Sequence, residues 1–142
     1  MLKLLIAVDG SAHAQRAIEA AARLQPQTTG LDVVLVHVRD LPSFADLYPP
    51  LDAQAVEFAL QQQQVALLEA ALVAARRAGL TQVRTQSEVG LAAQEIARAA
   101  TDLEVDLIVI GTHGRSALGG LFLGSVAQRV VHLATVPVLL VK

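Results

Sequence analysis

The chain has 142 residues, 54% of them hydrophobic, and a formal net charge of -2, so we expect one domain over residues 1–142 with a sizeable core. Aromatic residues make up only 3% of the sequence, which, with the slightly acidic charge, argues against a nucleic-acid partner held by stacking or by a basic field. Cysteine is absent, which excludes disulfides and cysteine-ligated metals and suits a reducing cytosol.

The first apolar run, residues 3–8, is too short to span a membrane and ends at the charged Asp9. It also lacks the length and the cleavage site of a signal peptide. A buried first strand explains the run better. We therefore expect a cytoplasmic protein without a membrane partner.

Short apolar runs alternate along the chain with longer helical patterns. Four runs are continuous and rich in Leu, Ile and Val, as in parallel strands covered on both faces; they are residues 3–8, 32–38, 106–110 and 136–141. Residues 82–88, where Val83 alternates with polar neighbours, are typical of an edge strand. Helical patterns cover residues 11–24, 52–78, 91–103 and a segment that begins at 125. The alternating order predicts an open parallel sheet with helices on both faces.

Sequence signals mark several helix ends. Ser11 is a candidate N-cap of the first helix, and Gly79 is a candidate C-cap of the second. Ser125 and Gln128 form a capping-box pattern at the start of the fourth helix. The glutamines at 61–64 are interpreted as an exposed helical face.

Two of the predicted helices carry an apolar stripe at helical spacing, which we expect to face the sheet. The stripe of the third helix consists of Ala93, Ile96, Ala97 and Ala100. The stripe of the fourth helix consists of Val126, Val130, Val131 and Ala134.

The stretch 41–51 contains three prolines and is predicted to be a loop. It also holds Phe44 and Tyr48, two of the few aromatic residues in the chain. Two interpretations stay open. The loop caps a bound ligand with these rings, or it is a surface loop anchored by them.

Five of the nine glycines fall between Gly111 and Gly124, after a predicted strand and before a predicted helix. In that context backbone N–H groups can approach phosphate oxygens without obstruction, and the helix N-terminus adds unpaired donors. Ser125 can add a hydroxyl at the helix start. The alternative is a flexible connection with an ordinary N-cap. Ser125, and not a lysine, stands directly after Gly124, so this is not the P-loop of an NTPase.

The spacing of Gly111, Gly114, Gly124 and Ser125 resembles the G-x2-G-x9-G-[ST] motif of the ATP-binding universal stress proteins. Residues 9–11, Asp-Gly-Ser, are similar to the D-x-S start of that family. Further similarity lies at residues 37–38 and 136–141, so the resemblance covers essentially the whole chain. It implies a five-stranded parallel sheet in the order 3-2-1-4-5, the fold of the adenine nucleotide alpha hydrolases.

In that strand order the winding reverses between strands one and four, where open α/β sheets bind ligands. Asp9 and Gly111 end those two strands. The resemblance implies that the residues around an adenine nucleotide, ATP or alternatively AMP, are Ala7, Val8, Asp9, Val38, Ile110, Gly111, Gly114, Gly124, Ser125 and Val126. Ala127 departs from relatives that carry a hydroxyl there, so one phosphate contact is in doubt.

Charged side chains near these positions have two interpretations each. Arg115 and Arg129 either help to neutralise phosphate charge or are solvated surface residues. Asp9 either contacts the ligand, together with Mg²⁺ bound to its phosphates, or forms a turn. His113 is interpreted as a loop-packing residue. Since the other histidines, at 13, 37 and 132, lie on different elements, a metal cluster is not expected.

Three functions remain open. The leading one is an ATP-binding regulatory module of the stress response with an unidentified protein partner. The second is an enzyme, either a slow ATPase or a protein that phosphorylates itself near Ser116 or Ser125. The third is an interaction module with a disused pocket, against which the intact glycines argue. The apolar final strand at 136–141, with Pro137 marking an edge, also predicts a homodimer through that edge.

Overall fold

Strands and helices alternate through the parts of the chain that the computed structural model describes, residues 1–25, 30–41, 52–113 and 123–142. The elements are β1 (Leu2–Ala7), α1 (Ala12–Leu24), β2 (Leu31–Arg39), α2 (Ala53–Arg77), β3 (Gln82–Val89), α3 (Ala92–Asp102), β4 (Leu107–Gly111), α4 (Ser125–Leu133) and β5 (Val138–Val141). Within these residues no helix is both long and apolar enough to cross a membrane.

The five strands form one parallel sheet in the order β3-β2-β1-β4-β5, which confirms the predicted fold. Ile6 of the central strand pairs with Leu35 on one side and with Val109 on the other. β3 is at one edge, as its alternating pattern predicted, and β5 is at the other. The direction of winding reverses between β1 and β4, so their carboxyl ends open a crevice.

Helices cover both faces of the sheet, and on each face a core cluster forms where the helices pack against the strands. Leu4 and Ile6 of β1 point to the face covered by α1 and α2. Leu5 points to the opposite face, covered by α3 and α4. This alternation in a strand that is buried throughout accounts for its continuous apolar sequence.

Two of the predicted helix ends are confirmed. The Ser11 hydroxyl accepts a hydrogen bond of 3.2 Å from the Ala14 N–H and caps α1. Gly79, at a φ of +101°, follows the end of α2. The capping box at α4 is wrong: the N-cap is Gly124, and among the described residues no side chain caps this helix. Ser125 is already helical, so its hydroxyl is not placed as an N-cap would be.

The predicted helix faces need correction at single positions. In α3 the buried residues include Ala99, whereas Ala97 is partly exposed. In α4 the sheet-facing residues are Ala127 and Val130, while Val126 and Val131 are 38% and 44% exposed. The valines exceed Ala127 in hydrophobicity, but the direction in which α4 leaves Gly124 decides which side meets the sheet.

Candidate functional site

The crevice at the carboxyl ends of β1 and β4 is bordered by a tight turn on its β1 side. The Asp9 carboxylate accepts a hydrogen bond of 2.9 Å from the Ser11 N–H, and Gly10 between them has a φ of +81°. This turn leads directly into α1. Asp9 therefore has the turn-forming role that was one of its two interpretations, and its contact with a ligand stays a prediction.

On the β4 side, Gly111 is required by the close approach of α1. A Cβ atom at Gly111 would lie 2.7 Å from the His13 Cβ and 3.0 Å from the His13 backbone carbon and oxygen. Since real Cβ contacts are not that short, only glycine lets the first turn of α1 rest against the end of β4. The glycine thus brings the N-terminus of α1 to the crevice.

Gly124 is required by a second close approach. Its N–H donates a 2.6 Å hydrogen bond to the Thr112 carbonyl, and a Cβ atom at Gly124 would lie 2.9 Å from that oxygen. The N-terminus of α4 therefore begins beside the end of β4. Unpaired N–H groups at such a helix start favour anions. Ser125 and Val126 are exposed in this first turn.

Thr112 connects three parts of this region and is itself buried. Its N–H donates to the Val141 carbonyl at 2.8 Å, and its own carbonyl accepts from Gly124. Its hydroxyl lies 3.1 Å from the His113 Nδ1. Thr112 thus contacts the end of β5, the start of α4 and the His113 ring.

Val38 presents backbone groups to the crevice from the β2 side. The β1–β2 register ends at Ala7 and Val36, and the Val8 N–H donates to the Val36 carbonyl at 2.9 Å. Backbone groups alternate in direction along a strand, so those of Val38 point to the same side as those of Val36. There they lie beyond the end of β1, which leaves them directed at the crevice.

A cleft of about 970 Å³ opens between α1 and α2 and reaches the ends of β1 and β2. Its lining includes the predicted residues Val8, Asp9 and Val38. Arg39 also lines it, paired with Glu57. The predicted residues of β4 and α4 do not line this cleft.

The predicted site residues therefore fall into two groups on either side of the crevice. Ala7, Val8, Asp9 and Val38 lie around the ends of β1 and β2. Ile110, Gly111, Gly124, Ser125 and Val126 lie around the end of β4 and the start of α4. Ile110 is buried in the core, so its side chain is not available to a ligand. Gly114 and Arg115, as well as the loop aromatics Phe44 and Tyr48, lie outside the described residues.

Gln64 is a buried polar residue that sequence reasoning missed. Only 4% of it is exposed, and its Nε2 donates to the carbonyls of His37 at 3.0 Å and Glu88 at 2.9 Å. It thus ties the end of β2, next to Val38, to β3. The interpretation of residues 61–64 as an exposed face is wrong at this position. Gln64 precedes the buried Leu68 by four residues, and this spacing was the available signal.

His13 and His113, which the sequence placed on separate elements, are in contact. Their ring centroids are 5.0 Å apart and their planes are tilted by 50°. Burial lowers the pKa of His13, and the neighbouring charge of Arg16 and the His113 ring lower it further, while Asp9 acts in the opposite direction. Within the described residues, no group of three or more His, Cys, Asp or Glu side chains is arranged to hold a metal.

Comparison with known proteins places this architecture in a family. The model of the universal stress protein family matches residues 1–142. A universal stress protein of Thermus aquaticus is 38% identical over 98% of this chain and 97% of its own. The solved structure of the hypothetical protein MJ0577, from Methanocaldococcus jannaschii, matches with a TM-score of 0.83 and 27% identity over 99% of this chain and 95% of that one.

A second solved structure has the same fold and contains a nucleotide. It is the universal stress protein from Archaeoglobus fulgidus in complex with dAMP, with a TM-score of 0.67 and 23% identity over 100% of this chain and 98% of that one. At that identity the likeness concerns the fold. The family model matches residues 1–142, and the sheet order and the two glycine contacts agree with that match. This chain therefore belongs to the universal stress protein family.

Proposed function

We propose that this protein binds an adenine nucleotide, with ATP as the preferred ligand, and acts as a nucleotide-dependent regulatory module of the stress response. The observation that carries the proposal is the pair of close approaches at Gly111 and Gly124, which bring two helix N-termini to the crevice. Glycines that serve only a flexible connection would not need such contacts. The dAMP complex of the Archaeoglobus fulgidus protein has the same fold.

The proposed binding mode assigns each part of the nucleotide to one side of the crevice. The N–H and C=O of Val38 match the N1 acceptor and the N6 donor of adenine. Gly124, Ser125 and Val126 hold the phosphates at the start of α4, where the helix dipole favours negative charge. Mg²⁺ typically binds one or two carboxylates together with substrate phosphates. Asp9 is the carboxylate that we propose for this ion.

The decisive experiment identifies what the purified protein carries. The protein is denatured, the released small molecules are analysed by mass spectrometry, and the refolded or ligand-free protein is titrated calorimetrically with ATP, AMP and GTP. We expect an adenine nucleotide in the released fraction and ATP binding stronger than GTP binding. Absence of any released nucleotide together with no heat on titration would reject the proposal.

Hydrolysis of bound ATP is expected to be slow, on the order of one turnover per minute or less, because the lysine that reaches the β- and γ-phosphates in P-loops is missing after Gly124. Phosphate release from chromatographically homogeneous protein measures the rate, and Gly124→Val serves as the control for contaminating ATPases. A fast, Mg²⁺-dependent rate that Gly124→Val abolishes would favour the alternative, an ATPase or an enzyme that phosphorylates itself.

We further propose a cytoplasmic homodimer that forms through the edge strand β5. Leu140 is the most exposed side chain of this strand, at 38% exposure, whereas Leu139 packs against the core. A bare apolar edge favours pairing with a second copy across a two-fold axis. The interface would therefore be centred on Leu140.

Leu140→Lys is expected to shift the protein from dimer to monomer, because two like charges would meet across the two-fold axis. Light scattering at micromolar concentration measures the mass. Val73→Lys is the matched control, since Val73 is 49% exposed on α2, which packs against β2 and β3, and these strands are separated from β5 by β1 and β4. A monomeric unmodified protein would contradict the prediction.

A further inference from the structure

One ring nitrogen of His13 and one of His113 have no hydrogen-bond partner among the described residues. The His13 Nδ1 and the His113 Nε2 are both enclosed by the protein, and neither has a hydrogen-bond partner among the described residues. Both side chains as a whole are partly exposed. Two imidazole nitrogens without a partner among the described residues thus lie in neighbouring rings.

Thr112 can hold the His113 ring in the tautomer that a metal requires. The His113 Nδ1 lies 3.1 Å from the Thr112 hydroxyl oxygen. An N–H at Nδ1 that donates to this oxygen leaves the lone pair on Nε2. In metal sites a ligating histidine almost always donates its other N–H to an oxygen in this way. In that tautomer His113 can bind a metal through Nε2.

We propose that His13 and His113 together form a two-imidazole site for a divalent transition-metal ion of the Zn²⁺ type. Imidazoles bound at about 2.0–2.1 Å to one tetrahedral ion have ring centres about 5 Å apart. The observed separation is 5.0 Å. The separation of the two ring centres thus matches that of two imidazoles on one ion.

The surrounding charges act in both directions on a bound cation. Asp9 attracts it, whereas Arg16, whose Nε donates to the Lys142 backbone oxygen at 3.0 Å, repels it and has the larger effect at His13. The N-terminus of α1 opposes a cation, so we expect moderate rather than tight binding.

The donor set distinguishes this site from the Mg²⁺ proposed with the nucleotide. Nitrogen ligands favour Zn²⁺, Ni²⁺ or Co²⁺, whereas Mg²⁺ prefers oxygen. Two protein ligands also leave coordination positions for water or for an anion in the crevice. The inference does not depend on nucleotide binding, because the metal alone is its probe.

The test titrates the full-length, metal-free protein with ZnCl₂ by calorimetry, and with Co²⁺ by visible absorption, which reports nitrogen coordination. We expect one ion per chain and a loss of affinity of about tenfold or more in His13→Gln and in His113→Gln. His132→Gln is the matched control, since His132 is exposed at the end of α4. Circular dichroism checks that each variant is folded.

A fourth variant distinguishes a metal site from a pair of histidines that has only a structural role. Thr112→Val keeps the volume of the side chain but removes the oxygen that orients His113, and should weaken Zn²⁺ binding by about tenfold while both ligands remain. Absence of binding to the unmodified protein would overturn the proposal. So would an affinity unchanged in both histidine variants, or lost equally in His132→Gln.

Discussion

Gly111→Ala is expected to destabilise the protein by about 1–3 kcal/mol, the usual cost of overpacking a close-packed contact. The added methyl group would meet the Cβ and the backbone of His13 at 2.7–3.0 Å. Backbone atoms cannot rotate away as a side chain can, so α1 must move from β4 or the strand must bend. The change should therefore also weaken whatever binds at the crevice.

Urea unfolding followed by circular dichroism measures this loss. Gly79→Ala is a useful comparison, because a Cβ atom there would meet nothing within 4 Å and the cost arises only from its φ of +101°. We expect about 1 kcal/mol for that variant, with no effect on the crevice. A Gly111→Ala protein as stable as the unmodified one would show that α1 does not pack against β4 as described.

Gly124→Val is expected to weaken ATP binding by several kcal/mol, roughly a hundredfold or more, from lost charge-assisted hydrogen bonds at the start of α4. A Cβ atom at this position would lie 2.9 Å from the Thr112 carbonyl oxygen. The variant should push the first turn of α4 away from the end of β4. It should also lose some stability, because it disturbs the Gly124–Thr112 hydrogen bond.

Calorimetric titration with ATP, at a temperature where unfolding curves show the variant to be folded, measures this effect. Ser125→Ala is the control: it removes one hydroxyl from the same turn but leaves the backbone in place, so it should cost about 1 kcal/mol or less. Equal ATP affinity in folded Gly124→Val and unmodified protein would show that the glycine contacts are not needed for the proposed binding mode.

Much of the fold could be predicted because its signals are local. The alternation of apolar runs with helical patterns indicates parallel strands and crossover helices, and the polar alternation around Val83 identifies an edge strand correctly. The order of the five strands came from the family resemblance instead. Alternation alone is compatible with several orders, since sequence neighbours need not be sheet neighbours.

The details that escaped prediction depend on how elements approach one another. Gln64 resembles its exposed glutamine neighbours in composition, and only its position one turn before Leu68 distinguishes it. The contact between His13 and His113 joins residues a hundred positions apart through the glycine at 111. The buried side of α4 follows from the direction of the chain at Gly124. Periodicity within a helix cannot supply such information.

Thr112 connects the outer edge of the sheet with the crevice through a chain of hydrogen bonds. Its N–H is bonded to the last residue of β5, and its carbonyl accepts from the N–H of Gly124, the N-cap of α4. A ligand that draws the start of α4 inward therefore pulls on the strand that we propose as the subunit contact. Linkage requires the coupling to be reciprocal: if ATP changes the dimerisation constant by some factor, dimerisation changes ATP affinity by the same factor. Binding of a ligand in the crevice would then change how strongly a second subunit associates at the sheet edge.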